Sequence, residues 1–276
     1  MLGLNFPLGK LAIAAGVHPA LWAALISLGA GLAMWLITAL FEPNAAKPKA
    51  VFKFALTSGF ISYVMPNFLT FMVIPKIGSG LSAVMYALSP VVTALFSIIF
   101  QVRPPNRFGL IGIALGLAGA LLIIIGRNSN FEMGGKLWII AALLIPVFLG
   151  LGNVYRTKAW PEGVSPRKLA SLTNLAAVPF LLLFEILLNG TLNFSPLLQI
   201  PGLVAAQLAV STINFMMFFR LQQMSGPTYL SQIGYVAAAV GLVIGVAILG
   251  ETYPILVWLG AGVVALGIAF STWGQR

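Results

Sequence analysis

The chain of 276 residues is 60% hydrophobic and only 7% charged, with fifteen Lys and Arg against five acids, all of them Glu, for a net charge of +10. So few charges at a mean hydropathy of +1.02 exclude an ordinary soluble domain, in which about a quarter of the residues are charged. The chain has no Cys, no Asp and a single His, which removes disulfides, thiolate or His-rich metal sites and aspartyl or thiol catalysis; neither a cofactor nor an enzymatic centre is expected.

Uncharged stretches of membrane-spanning length recur along the chain and predict ten helices. They fall at about residues 2–15, 19–41, 52–75, 78–101 and 107–126, and again at about 136–158, 168–189, 201–221, 227–249 and 254–273. Richness in Gly and Ala without alternation of polar and apolar residues favours helices over barrel strands, and Pro66, Pro90 and Pro146 fall inside the runs. "QQMSGPT" (222–228) separates the eighth helix from the ninth. The first is short, about 21 Å at 1.5 Å per residue against a hydrocarbon core of about 30 Å. It is expected to be truncated at its N-terminus, with more apolar residues encoded upstream.

With ten helices starting from the cytoplasm, the inner ends carry Lys47, Lys49, Lys53, Arg103, Arg107, Arg156, Lys158, Arg167, Lys168, Arg220 and Arg276, eleven of the fifteen basic residues. The outer ends carry Lys10, Lys76, Arg127 and Lys136, so both termini are expected in the cytoplasm. Scattered over several loops, these charges do not form a nucleic-acid-binding face. The expected partners are the lipid bilayer and a small molecule.

A repeat lies beneath the hydrophobicity. At an offset near 148, "GLAGALLIIIG" (116–126) falls on "VALGIAFSTWG" (264–274), with Gly112 on Gly260 and Gly119 on Gly267. "NFPLGKLAIAAGVHP" (5–19) falls on "NVYRTKAWPEGVSP" (153–166): an Asn, a Lys five residues on, then Gly-Val-X-Pro before the next helix. Two halves result, 1–130 and 131–276, and an odd number of spans in each forces the second to insert upside down. The expected fold is an all-α polytopic membrane protein, a ten-helix bundle of two inverted five-helix repeats.

This layout, with "GLNFPLGK", "GVHPALWAAL", "SGLSAVMYALSPVVTALFSIIF" and "ILGETYPILVWLGAGVVALGIAF", resembles the drug/metabolite transporter superfamily, EamA type. The resemblance covers essentially the whole chain and rests most specifically on Leu249, Gly250 and Glu251 at the end of the ninth helix. In the first half Arg103 stands at the equivalent place, where many members carry Glu. The resemblance implies a carrier of small metabolites in the bacterial inner membrane, often an exporter of amino acids or related compounds, working by alternating access.

Polar groups inside hydrocarbon are costly, so those at mid-helix are expected to face the bundle interior or a water-filled path. The substrate-path candidates are Asn5, Tyr63, Asn67, Tyr86 and Ser89 in the first half and Asn153, Tyr155, Asn214, Gln232 and Tyr235 in the second. For each, the structural alternative is a packing hydrogen bond between helices. Amides and phenols without a midplane Arg or Lys suit a neutral, zwitterionic or aromatic substrate. Glu185, about four residues from the outer end of the seventh helix, is the candidate for proton coupling, with snorkelling to the interface as its alternative. His18, in the outer turn before Pro19, reads as an interfacial residue. Gly112-x-x-x-Gly116 and Gly241-x-x-x-Gly245 permit close helix contact, within the chain or across a homodimer. Besides a transporter, a non-transporting membrane receptor or scaffold of the same fold fits this pattern.

Overall fold

The computed structural model describes residues 2–41, 48–102, 105–126, 133–250 and 252–273. Among these, every regular element is helical. Helix α1 (Asn5–Ala14) follows a 3-10 turn at Leu2–Leu4, and α2 is Pro19–Phe41. Helix α3 joins Pro48–Gly59, a π turn at Phe60–Val64 and Met65–Ile77; α4 joins Ser79–Ala87 and Ser89–Ile99 across a bend at Leu88; α5 is Arg107–Gly126. In the second half, α6 is Met133–Lys158 and α7 is Pro166–Asn189. The helical run Pro201–Ser231 breaks at Gly226, so α8 is 201–225 and α9 joins 227–231 to Ile233–Leu249 across Gln232; α10 is Ile255–Trp273. Helix α8 runs four residues past its expected end at 221, because Gln222–Ser225 tolerate helix and only Gly226 (φ 78°) with Pro227 behind it stops the chain.

The repeat is written in the backbone. Outside glycine only Gln101 has positive φ among the described residues, and six of the seven positive-φ positions pair between halves: Gly16 with Gly163 (86° and 71°), Gly78 with Gly226 (82° and 78°), and Gln101 with Gly250 (54° and 62°), Gly190 (74°) being the seventh. In both copies of Gly-Val-X-Pro the glycine turns the chain in a region that an L side chain resists, and the proline then opens a helix at a position needing no N–H. Arg103 and Glu251 lie outside the described residues.

Unlike those of a soluble protein, the helices expose bulky hydrocarbon and bury polar groups beside an apolar core. On α2, Ser27, Ala30, Met34 and Thr38 are buried while Leu28, Leu32, Trp35 and Leu36 are exposed; on α7, Ser171, Thr173, Asn174 and Glu185 are buried while Leu183, Ile186 and Leu187 are exposed. Polar groups thus face neighbouring helices, alongside buried Trp22, Ile26, Leu169 and Leu181, while much bulky hydrocarbon faces outward, as lipid permits. Among the described residues, five helices are long and apolar enough to cross a membrane by length and composition. The chain is a multi-pass membrane protein.

The two most extensive helix pairings each join a helix to its own repeat partner, α5 with α10 and α2 with α7, and α4 packs on its partner α9 likewise. A Cβ on Gly119 would lie 2.6 Å from the Gly260 carbonyl oxygen, and one on Gly267 would lie 2.7 Å from that of Gly112. Exchanging each residue for its repeat equivalent turns one contact into the other, the reciprocity a two-fold axis imposes. As α5 advances from Gly112 to Gly119 its partner on α10 recedes from Gly267 to Gly260, so the helices are antiparallel and the halves inverted. Gly112, Gly116 and Gly241 make their close contacts within the chain, Gly241 against Ala83.

Candidate functional site

Two prolines bend the helices around the centre of the bundle. Pro66 has no N–H to give the Ser62 carbonyl four residues back, and its ring crowds that oxygen. The chain widens into the π turn, where the Met65 N–H reaches the Phe60 carbonyl. Thr70 Oγ1 donates to the Pro66 carbonyl at 2.6 Å and lies 3.2 Å from Tyr86 Oη. Pro90 acts likewise on α4: the Tyr86 carbonyl receives no fourth-residue bond, the helix bends at Leu88, and that oxygen comes against the Cα of Gly234 on α9.

The π turn, this bend and the Gln232 hinge of α9 border one cavity of about 50 Å³. Its wall brings together seven of the expected residues: Asn5, Tyr63, Asn67, Tyr86, Ser89, Asn153 and Asn214. Both halves contribute, and two repeat-related pairs meet there, Asn5 with Asn153 and Asn67 with Asn214. Asn5 Oδ1 accepts from Gln207 Nε2 at 2.8 Å, and Asn153 Nδ2 donates to Thr93 Oγ1 at 3.2 Å.

Three expected residues do not reach the cavity. Tyr155 lies on the adjacent face of α6, stacked on Phe54 with ring centroids 5.9 Å apart. Tyr235 is buried over Gly116 of α5, its Oη 3.5 Å from the Ile113 carbonyl. Gln232 is buried at the hinge outside the wall, although its neighbours Ser231 and Ile233 belong to it.

The largest departure is Arg156. Counted with the inner-loop charges in the sequence, it is instead 1% exposed and part of the cavity wall. Its position follows from helix geometry: three residues after Asn153 on α6, it shares the face that Asn153 presents inward. Arg156 Nη2 donates to Asn153 Oδ1 at 2.6 Å and Nε to Gln222 Oε1 at 3.2 Å, while Nη1 has no hydrogen-bond partner. Gln222 is held in turn by donating to Thr157 Oγ1 at 2.6 Å. The guanidinium lies 4.9 Å from the Phe218 ring centroid and 5.8 Å from that of Tyr63, within cation–π range. Tyr63 Oη and Ser62 Oγ, on the same wall, also lack partners. Ser62, Ser231, Phe215, Phe218, Leu149 and Ile26 belong to the same lining, which is aromatic and aliphatic around a few polar groups.

Glu185 lies elsewhere. It is buried, and its Oε2 is 3.8 Å from His18 Nδ1, which also lies within hydrogen-bond distance of Asn189 Nδ2. His18 is therefore a partner of the one buried acid among the described residues, a contact made between the start of α2 and the end of α7. A wider, open depression of about 700 Å³ lies near the start of α7 and late in α8, lined by Met216, Met217, Met224 and Arg220, away from the buried polar groups.

A family model for the EamA-like transporter family matches residues 1–125 and again residues 136–273. A solved structure described only as "Crystal structure of protein" superposes with a TM-score of 0.74 over 98% of this chain and 96% of that one, at 19% identity, a likeness of fold. No curated protein matches. Matched twice, across nearly its whole length, the chain belongs to the EamA-like transporter family.

Proposed function

We propose that the chain is a secondary transporter that exports a small organic molecule across the bacterial inner membrane, both termini cytoplasmic, by alternating access of the central cavity to the two faces. The carrying observation is the convergence of repeat-related amides from both halves on one cavity whose buried Tyr63 Oη and Arg156 Nη1 have no protein partner. Polar atoms buried without partners cost about 1–3 kcal/mol each, a cost a bound molecule recovers. At about 50 Å³ the cavity holds a few waters, whereas ligand pockets occupy about 300–1,000 Å³. Loading therefore requires the repeats to part, and the hinges at Leu88, Gly226 and Gln232 are the places where α4 and α9 can bend.

Counterflow in proteoliposomes tests this reading against a broad panel of small organic acids, amino acids and amines. Neither Asn67 nor Asn214 has a side-chain hydrogen bond among the described residues. Asn67→Ala and Asn214→Ala should each lower the initial flux about tenfold, the scale of one or two ligand hydrogen bonds, with thermal unfolding little changed. Absence of flux for every compound favours a non-transporting receptor or scaffold.

We infer that Glu185 carries the coupling proton, supported by its burial, by an Oε2 that accepts no hydrogen bond, and by the half-exposed His18 beside that oxygen. Flux through the wild-type protein should then accelerate under an imposed pH gradient, while Glu185→Gln should transport at one rate with or without it. An equal response of both proteins would overturn the assignment.

A further inference from the structure

The absence of a midplane cation was the reason to expect a neutral or zwitterionic substrate, and Arg156 reverses that premise. Burying a guanidinium is costly unless an anion faces it. Among the described residues Arg156 has no ion pair: Glu162 is exposed in the turn between α6 and α7, Glu185 is beside His18, and the chain contains no Asp. What holds the cation is neutral. Gln222 and Asn153 fix Nε and Nη2, and the rings of Phe218 and Tyr63 face the guanidinium, so the fork is pre-oriented with Nη1 left over. The Ser62 and Tyr63 hydroxyls, equally without partners, are on the same wall, and Ser62 Oγ and Arg156 Nη1 both border the Cα of Gly152.

We propose that Arg156 is the anchor for the carboxylate of a small monocarboxylic acid with an aromatic or branched apolar body, bound at Nη1 together with the hydroxyls of Ser62 or Tyr63. This deepens the transporter reading and rests on it. One fixed cation balances one negative charge, while a phosphate dianion would leave excess charge, since the wall's described residues include no second Lys or Arg. An amino acid fits less well: its ammonium would find amide and phenol oxygens but no carboxylate, and the loaded site would keep a net positive charge in hydrocarbon. Phe215, Phe218, Ile26 and Leu149 supply the apolar contact for the body of the acid.

Binding to the purified protein in detergent, measured by calorimetry, tests this without reference to flux, so a failed proteoliposome assay and a failed anchor are distinguishable. The probes are benzoate, its neutral isostere benzamide, phenylalanine, benzylamine and chloride. Benzoate should bind at least about tenfold tighter than benzamide, phenylalanine or benzylamine, and Arg156→Gln should remove that preference with a loss of about thirtyfold or more for benzoate alone, as truncation of a buried charge pair does. Arg156→Lys keeps the charge and loses the fork, and should bind benzoate at an intermediate level; it also stands in if the Gln variant does not fold. No benzoate preference in the wild-type protein, including no binding at all, overturns the proposal. So does a preference that survives in Arg156→Gln or, where only the Lys variant folds, one that is unchanged in it. Chloride binding that matches benzoate overturns the carboxylate assignment.

Discussion

Gly119→Ala and Gly267→Ala should each lower the stability of the purified protein by about 3 kcal/mol, and the double variant should lose clearly less than twice that. Alanine is the better helix former by about 0.8–1.0 kcal/mol, so a net loss isolates the contact between α5 and α10 from helix propensity. A Cβ on Gly119 meets the Gly260 carbonyl oxygen at 2.6 Å and the Val264 amide nitrogen at 2.7 Å; one on Gly267 meets the Gly112 carbonyl oxygen at 2.7 Å and the Gly116 amide nitrogen at 2.8 Å. All four are backbone atoms, which cannot rotate away as a side chain does. The helices must separate, and the packing along the seam is lost with them. Once the first methyl has pushed α5 and α10 apart, the second enters space already opened, hence the sub-additive double variant. Gly262→Ala on α10 is the control: nothing lies within 4 Å of its Cβ, so it should be neutral or slightly stabilising. Thermal unfolding in detergent followed by tryptophan fluorescence reads all four proteins. Additive losses would mean that the two contacts are independent, against the shared two-fold seam.

The spans were legible because a membrane imposes a length and a polarity on each of them, and the expected and observed helices agree to within a few residues. The repeat was legible at Gly-Val-X-Pro, where the glycines at 16 and 163 and the prolines at 19 and 166 hold a backbone shape that other residues resist. Its continuation at Gly78 and Gly226 was a weaker match because different residues, Ser79 and Pro227, follow the same turn. At the site, mid-helix amides and phenols point inward for a reason hydropathy captures, and seven of ten reach the cavity. Tyr155 and Tyr235 do not, since a phenol also buries well against Phe54 or a glycine, and depth alone does not specify helix face.

Arg156 was missed for the opposite reason. A charge at the end of an apolar run reads as the end of the membrane, and "NVYRTK" places Arg156 two residues before Lys158, which is exposed. The signal available was periodicity: Asn153 and Arg156 lie on one face, whereas Lys158 turns away toward Phe100. Gln222 could be read only in three dimensions, because its contact with Arg156 spans 66 positions. The pair His18 and Glu185, 167 positions apart, was hidden in the same way.

Gly234→Ala should abolish most transport, with a fall of about tenfold or more in flux and a stability loss of about 1–3 kcal/mol, as for an overpacked core. The cause begins at Pro90, whose missing N–H deprives the Tyr86 carbonyl of its fourth-residue bond and lets it project onto the Cα of Gly234, so that an added methyl falls inside the oxygen's van der Waals shell. Tyr86 and Gly234 are repeat equivalents, so the clash sits where α4 and α9 cross on the pseudo-two-fold axis. Tyr86 cannot retreat without consequence: its Oη is 3.2 Å from Thr70 Oγ1, its ring packs edge-on against Phe6 with centroids 5.0 Å apart, and its other side is the cavity wall. Displacement therefore moves Tyr86 toward Asn5 and Asn67 and alters the site as well as the crossing. Pro90→Ala supplies the missing N–H at position 90, restores a fourth-residue bond to the Tyr86 carbonyl and draws that oxygen back along α4. Combined with Gly234→Ala, it should recover part of the lost stability, although either change alone costs some. If the double variant is no more stable than the sum of the two losses predicts, the Tyr86 carbonyl is not what the methyl meets.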